Sequence, residues 1–227
     1  MNANELWEKF CKEKNVDINQ RHTAWAFCGG GEAGDRLAEL VLERKKFGTA
    51  SAYEAYLSQG ALDEIPRSDE YNVILLDNGE AVCVTQNYSL NIKKFGEVSS
   101  FHGFAEGEGD RSLRYWKEVH EEFFEDDFKR ANKVMDENSL IVLEQFKVVY
   151  VADGSSDEID DIYLLENDNS VDYNHIVLDC FLNNEQVGYL EIIKEDNEFH
   201  LYSHVDEKEE LFLKRANEYL GVLNNVF

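Results

Sequence analysis

Two apolar runs separated by an Asn-Gly turn place the strongest constraint on how this chain of 227 residues folds. Residues 71–76 (YNVILL) and 81–85 (AVCVT) flank the segment Asp-Asn-Gly-Glu at 77–80. Asparagine and glycine readily adopt the positive φ angles that a type I′ turn requires. The pattern therefore predicts an antiparallel hairpin.

Helical periodicity and further extended runs surround this hairpin. Apolar spacing predicts helices over residues 4–14 and Glu32–Lys46, and a long helix that Ser112 caps and that ends near Arg130. The second helix ends at a basic cluster, and Gly48 is expected to be its C-terminal glycine. Additional strands are predicted over 88–92 and 139–150. This mixture of strands and helices favours a small β-barrel with flanking helices, in the α+β class.

The composition changes after residue 152, so we expect a first domain over 1–152 and an acidic α+β extension over 153–227. A polar linker is predicted at 153–158. The remainder is predicted to be a β-meander with one C-terminal helix, with strands at 160–166, 175–182, 187–194 and 198–204 and a helix at 206–223. The sequence leaves open whether this extension has its own core or extends the first sheet.

The formal net charge of -25 is unevenly distributed. Residues 1–150 carry 18 Lys and Arg against 28 Asp and Glu, whereas residues 151–227 carry 4 against 19. Such a field repels polyanions, which argues against tight sequence-independent nucleic-acid binding but leaves a nucleoside or a loosely held RNA end possible. Four widely spaced cysteines favour reduced thiols. With no visible signal peptide and no membrane-spanning run, we expect a cytoplasmic protein that does not associate with membranes.

Several features are interpreted structurally. The loop Cys28–Gly31 lacks the Gly-Lys-Ser/Thr of a P-loop and is expected to be a flexible turn. Tyr53 and the nearby Tyr56 face either the core or a pocket wall. Histidines 102 and 120 are single histidines near aromatic residues and are expected in core or surface roles, so no metal and no cofactor is predicted.

Four segments together resemble the ASCH domain family over residues 20–150. They are Trp-Ala-Phe at 25–27, LVLERKKFGTAS at 40–51, YNVILLDNGEAVC at 71–83 and EGEGDRSLRYWKEVH at 106–120. The resemblance implies a β-barrel similar to the PUA domain, with a cleft between barrel and helices. It also implies a link to RNA: some relatives cleave RNA, and small bacterial ones remove the acetyl group from N4-acetylcytidine.

The family motif Gly-x-Lys-x-x-Thr-x-Arg aligns its lysine with Lys46 and its threonine with Thr49. Arg44 stands in place of the motif glycine, and Ser51 in place of the motif arginine, so a fixed cation for an oxygen ligand is missing. The acidic residue of the deacetylating relatives aligns with Glu108, with Glu106 as the alternative.

The resemblance assigns catalytic roles for amide hydrolysis to Thr49 as nucleophile, Lys46 as base and Glu108 as proton donor to the leaving amine. A lysine base needs a lowered pKa, which burial provides and nearby carboxylates oppose. The candidate substrate-binding residues are Arg44, Lys45, Ser51, Tyr53, Glu106, Asp110 and Arg111.

Three alternatives remain open from the sequence. In the first, Lys46 and Thr49 only cap helix ends, the two glutamates are solvated, and Asp110 with Arg111 only fixes the loop. In the second, the protein is a ribonuclease that acts on single-stranded RNA. In the third, it is a non-catalytic binding module, in which a basic rim holds RNA and the acidic C-terminal region contacts a protein partner. The residues of that rim are Arg44, Lys45, Lys46, Lys93 and Lys94.

Overall fold

A computed structural model of the chain describes residues 1–154, 162–167 and 174–226. The chain divides into two compact units, Met1–Ile159 and Asp160–Phe227. Most of the linker predicted at 153–158 lies outside the described residues, so the predicted domain boundary after residue 152 stays a prediction.

The first unit combines a five-stranded sheet with helices. Its strands are β1 (His22–Trp25), β2 (Gly48–Ala52), β3 (Tyr71–Leu75), β4 (Ala81–Lys94) and β5 (Leu140–Val151). Its helices are α1 (Ala3–Lys14), α2 (Gly31–Leu42), α3 (Tyr53–Gln59), α4 (Ser100–Glu106) and α5 (Leu113–Arg130). The strand order is β1-β3-β4-β5-β2, with β1 parallel to β3 and all other neighbours antiparallel. The predicted hairpin is present as β3 and β4, but its turn is not the predicted type I′, because Gly79 has a positive φ of 79° and Asn78 does not.

The sheet curls into a half-barrel because β4 is long and interrupted by two bulges. This strand pairs with β3 through its first half and with β5 along most of its length. The register shifts between Val84 and Thr85 and again between Asn87 and Ser89, and such bulges bend a strand and increase its twist. The run predicted at 88–92 is thus part of β4. Strands β1 and β2 form the two edges of the sheet.

Helices cover the sheet with apolar side chains. From α1, Leu6 and Phe10 pack with Val73 and Val84 of the hairpin. Elsewhere in the unit, Trp116 and Phe124 of α5 pack with the β5 residues Ile141 and Leu143 and with Ala52 at the end of β2. This second cluster brings α5 next to the edge strand β2.

The turn after α2 differs from the prediction. The helix ends at Leu42, and Arg44 adopts the left-handed φ of 61° that Gly48 was expected to supply. The Arg44 guanidinium donates to the Val41 and Leu42 carbonyls, and the backbone N–H groups of residues 45 and 46 both donate to the Leu40 carbonyl. Gly48 instead begins β2, where a Cβ would lie 3.1 Å from the Cβ of Ala105.

The second unit is a four-stranded antiparallel sheet with a C-terminal helix, as predicted. Its strands, β6 (Ile162–Glu166), β7 (His175–Leu182), β8 (Glu185–Glu195) and β9 (Glu198–Val205), are ordered as in the sequence, and α6 spans Glu209–Val226. Each of the two described sheets contains strands of one unit only. Leu178, Leu190 and Ile192 are buried in this unit, as is Phe212 of α6. Residues 160 and 161 of the first predicted strand lie outside the described part of the chain.

None of the described helices is both long and apolar enough to span a membrane.

Candidate functional site

A cleft of approximately 420 Å³ lies beside the edge strand β2. Aromatic side chains from separate elements line it: Trp25 at the end of β1, Phe27 in the following turn, Tyr56 from α3, and Phe123 and Phe124 from α5. Trp25, Tyr56 and Phe123 are not buried and can stack on a planar ligand, whereas Phe27 and Phe124 are buried.

Lys46 forms a buried ion pair in the wall of this cleft. Its side chain is 1% exposed, and its Nζ lies 2.6 Å from Glu106 Oε2 and 2.9 Å from Glu108 Oε1. The same ammonium donates to the Glu106 carbonyl at 3.3 Å. It also lies 5.3 Å from the centre of the Phe27 ring, which lets the ring face contribute to holding the charge.

Glu106 is the centre of this network. Its Oε1 accepts from Trp116 Nε1 at 2.9 Å and from His102 Nε2 at 3.2 Å, while His120 Nε2 lies 3.6 Å away. Because a carboxylate only accepts, His102 must carry its proton on Nε2. The contact between His102 and Glu106 follows from helix spacing, since the two residues are four apart on α4. Residues 116 and 120 are four apart on α5, so both lie on the face of that helix that meets Glu106.

The pKa values in the network follow from its charges. Burial by itself would lower the pKa of Lys46, but the adjacent Glu106 and Glu108 carboxylates outweigh burial and raise it. Burial likewise opposes ionisation of Glu106, yet Lys46 and the two histidines hold its pKa well below the ordinary value. Burial lowers the pKa of His120 despite the nearby Glu106. Lys46 is therefore an ammonium at neutral pH, which disfavours the base role predicted for it.

Five of the predicted site residues line the cleft: Lys46, Thr49, Ser51, Glu106 and Glu108. Thr49 and Ser51 lie on β2, and the Ser51 hydroxyl is 3.0 Å from the hydroxyl of Tyr56. The Glu108 side chain remains 23% exposed, so it can contact a ligand while it also pairs with Lys46.

The other five predicted residues lie outside the lining of this cleft. Arg44 caps α2, Lys45 pairs with Glu43 at 2.9 Å, and Tyr53 begins α3. Asp110 accepts from the Ser112 N–H, and Arg111 stacks on the Phe104 ring at 3.6 Å while donating to the Phe104 and Lys45 carbonyls. Asp110 and Arg111 thus fix the loop that carries Glu108.

Sequence reasoning left Tyr56 open between core and pocket wall and missed the other aromatic residues of the cleft. His102 and His120 are buried, one of the two alternatives expected for them, but their common approach to Glu106 was not foreseen. Trp25 and Phe27 stand in a segment that identified the family, but nothing in their spacing predicts a pocket. The spacing of Trp116 and His120 does place both on one face of α5, which is the signal that would have found them.

The glycine loop at 28–31 is anchored within the protein. The Gly31 N–H at the start of α2 donates to Asp77 Oδ1 at 2.6 Å, so a side chain from the β3–β4 turn occupies this helix N-terminus. Cys28, at φ 54°, lines the cleft.

The lining of the cleft is strongly acidic. Four carboxylate side chains, of Glu64, Glu106, Glu108 and Asp127, accompany the single ammonium of Lys46. None of the other four cations of the predicted basic rim lines this cleft, and Lys94 lies 3.6 Å from Glu97. A polyanion gains little from such a lining.

A chain of side-chain hydrogen bonds runs across the sheet from Trp25, which lines the cleft, to Glu144 on β5. The Trp25 indole donates to Asn72 Oδ1 at 3.0 Å, Asn72 donates to Asn87 Oδ1 at 3.2 Å, and Asn87 donates to Glu144 Oε2 at 2.8 Å. Glu144 stands opposite Thr49 in the β2–β5 ladder. Burial raises the pKa of Glu144 to about 7, although the bond from Asn87 opposes this shift.

Comparisons with known proteins agree with the resemblance in the sequence. The ASCH domain model matches residues 23–150. The structure of an ASCH domain from Lactobacillus crispatus JV V101 is similar, with 28% identity and a TM-score of 0.60, over 66% of this chain and 96% of that one. Protein EF3133 from Enterococcus faecalis V583, of family DUF984, is 25% identical with a TM-score of 0.58, over 70% and 96% of the two chains. No curated protein matches the sequence. The chain belongs to the ASCH domain family.

Proposed function

We propose that the cleft binds an uncharged modified nucleoside and hydrolyses its exocyclic amide. The observation that carries this proposal is the ion pair between buried Lys46 and partly exposed Glu108, in the wall of an aromatic cleft that Thr49 also lines. These are the three residue types that the chemistry needs, and Lys46 and Glu108 come together although they are 62 residues apart in the sequence.

Charge supports a neutral ligand. Carboxylates outnumber cations in the lining, and Ser51 stands where the family motif has arginine, so a phosphate in the cleft would meet repulsion. Tyr56, Phe123 and Trp25 supply rings on which a base could stack. A free nucleoside fits these conditions better than an RNA strand does.

The proposed roles follow from the raised pKa of Lys46. Thr49 Oγ attacks the acyl carbon, and Glu108 accepts the hydroxyl proton and returns it to the leaving amine. The ammonium of Lys46 stabilises the negative charge that develops on the acyl oxygen. Water then releases the acyl group from Thr49 by the same proton transfers, and Glu106 keeps Lys46 in place throughout.

Release of cytidine from N4-acetylcytidine tests the proposal. We expect turnover by the wild type, and losses of at least about 100-fold for Thr49→Ala, Glu108→Gln and Lys46→Ala, as is typical when proton transfer or oxyanion stabilisation is removed. Ser58→Ala removes an exposed hydroxyl from α3 outside the cleft and is the matched control. The proposal is contradicted if the wild type shows no turnover. It is also contradicted if the three variants turn over the substrate as fast as the wild type does.

A non-catalytic binding module is the second candidate, and the fully paired Lys46 favours it. Titration calorimetry with the same nucleoside separates the two functions, since a module binds without turnover. Cleavage of an unstructured RNA by the wild type, without hydrolysis of the nucleoside, would instead favour a ribonuclease.

A further inference from the structure

The backbone edge of β2 is open toward the cleft. The cavity contacts four successive residues of this strand, at positions 49–52. Successive side chains of a strand point to opposite faces, so a cavity that contacts all four reaches both faces of β2, and it does so around the free edge of the strand. Because β2 is the last strand of its sheet, that edge carries the backbone groups that no neighbouring strand uses.

The register identifies Ala50 as the residue whose N–H and C=O point outward. The Phe146 N–H donates to the Phe47 carbonyl, and on the other side of β5 the Asn87 N–H and C=O bond to residues 70 and 69. Phe146 therefore directs its backbone groups toward β2. Since bonded pairs alternate along an antiparallel ladder, positions 49 and 51 face β5 and position 50 faces away.

Nothing in the described chain occupies these two groups. No backbone group outside the ladder and no side chain among the described residues is hydrogen-bonded to Ala50. An unpaired donor and acceptor side by side, in an aromatic cleft, form a ready-made site for a ligand with the complementary pair.

We propose that the N–H and C=O groups of Ala50 bind the donor–acceptor edge of a nucleobase in the cleft. This inference rests on the proposed function, since it assumes a nucleoside ligand. In cytosine, N3 accepts the Ala50 N–H and the N4 amino group donates to the Ala50 carbonyl. An extended peptide offers the same pair of groups, but the enclosing aromatic rings favour a flat heterocycle over a strand with side chains on both faces.

Calorimetric titration of wild type and Ala50→Pro with cytidine and with 3-deazacytidine tests the proposal. Proline removes only the outward N–H, and an edge strand tolerates proline where the N–H does not belong to the ladder. In 3-deazacytidine a C–H group replaces the N3 acceptor. We expect the wild type to bind cytidine about five- to tenfold more tightly than 3-deazacytidine, the effect of one neutral hydrogen bond. Ala50→Pro should bind cytidine weakly and lose that preference.

Equal binding of the two nucleosides by the wild type overturns the proposal, whether or not Ala50→Pro folds. Unchanged cytidine binding by a folded Ala50→Pro overturns it as well. In both cases the protein still binds nucleosides, so the proposed function is retained. Absence of any nucleoside binding overturns both. If a capped extended tetrapeptide binds in place of the nucleosides, the open edge is a strand-pairing site and this assignment is wrong.

Discussion

Lys46 remains charged in the protein interior because two carboxylates compensate its lost hydration, and the two are not equivalent. Glu106 is as buried as Lys46 and also satisfies Trp116 and His102, whereas Glu108 is partly exposed to solvent. Removing Glu106 leaves the buried ammonium of Lys46 with only the partly solvated Glu108, and it takes the shared acceptor from Trp116 and His102. Removing Glu108 leaves the buried Lys46–Glu106 pair intact, and breaking a buried pair is the costly change.

We therefore predict that Glu106→Gln is far more destabilising than Glu108→Gln. The first change should lower the free energy of unfolding by about 3–5 kcal/mol, and the second by about 1 kcal/mol or less. Urea denaturation of both variants at pH 7.5 measures the difference. Because each variant exchanges a carboxylate for an amide of the same size, equal losses would contradict the assigned order.

Glu144 gives a second prediction, for the pH dependence of stability. Its pKa is raised from 4.5 to about 7 in the folded protein, so between these values the folded state holds a proton that the unfolded state releases. Stability is therefore greatest below pH 4.5 with respect to this group and falls as pH rises toward 7. The total loss corresponds to about 3 kcal/mol.

The comparison of wild type with Glu144→Gln isolates this contribution, because His120 and Glu106 titrate in both proteins. The glutamine still offers an oxygen to Asn87, which now donates at 2.8 Å. We expect the wild type to lose about 2–3 kcal/mol relative to Glu144→Gln between pH 5 and 8, measured by urea denaturation. A constant difference across this range would mean that Glu144 is ionised in the fold.

The sequence predicted more of the polar residues that line the cleft than of the aromatic residues that line it. Lys46 and Thr49 were found because a motif fixes their spacing, and Glu108 because a segment of the family carries it. Tyr56 was left undecided and Phe123 was missed, because an aromatic residue at helical spacing has the same pattern in a core and in a pocket wall. The structure distinguishes core from pocket wall for these residues, because it shows the cleft beside the edge strand β2 that they line.

Among the elements, the turn that follows α4 sets the distance between the glutamates and Lys46. Gly107 is the C-cap of α4 at φ 76°, and a Cβ there would lie 2.6 Å from the Lys45 carbonyl oxygen and 2.9 Å from the Lys46 nitrogen. The helix end and the turn after α2 can approach this closely only with glycine at this position.

A third prediction follows for Gly107→Ala. The substitution forces alanine into a left-handed conformation and displaces residues 45 and 46. We therefore expect the free energy of unfolding to fall by about 2–4 kcal/mol and ligand binding to weaken. Gly60→Ala is the matched control: it caps α3 at φ 68° with no atom within 4 Å of the added Cβ. Its loss should be about 1 kcal/mol, from conformation alone. Thermal melts of both variants make the comparison, and equal losses would exclude the close contact as the cause.

Elements were predictable where local chemistry determines them. The hairpin was predicted correctly from its Asn-Gly turn, although only Gly79 of the pair adopts a positive φ, and Ser112 caps α5 by accepting from the Tyr115 N–H. The end of α2 was predicted wrongly because Arg44 adopts a left-handed conformation that propensity assigns to glycine. Its guanidinium bonds to the last carbonyls of the helix, a compensation that propensity does not include.

Charge and sheet topology both distinguish the part of the chain that the family model matches from the part that it does not match. The family model covers residues 23–150, and every residue that lines the cleft lies between positions 25 and 127. The last third of the chain carries the larger excess of acidic residues and matches no part of that model. The sequence predicted its meander and helix, because alternation and turns are local signals. The sequence left open whether this part has its own core, because long-range pairing has no local signal.

The final prediction concerns a fragment that ends at Gly154. Strands β1–β5 pair only with one another, and β6–β9 form a separate described sheet, so truncation removes no strand from the half-barrel. We expect the fragment 1–154 to be soluble, to unfold in a single cooperative transition and to bind nucleosides with the affinity of the full chain, since the cleft is retained. Calorimetry of the fragment and the full chain under the same conditions measures both properties. Aggregation or a non-cooperative melt would mean that the two units share one core. A cooperative fragment with altered affinity would instead show that the acidic unit acts on the cleft, through its field or by direct contact, and salt dependence of the difference would identify the field as the cause.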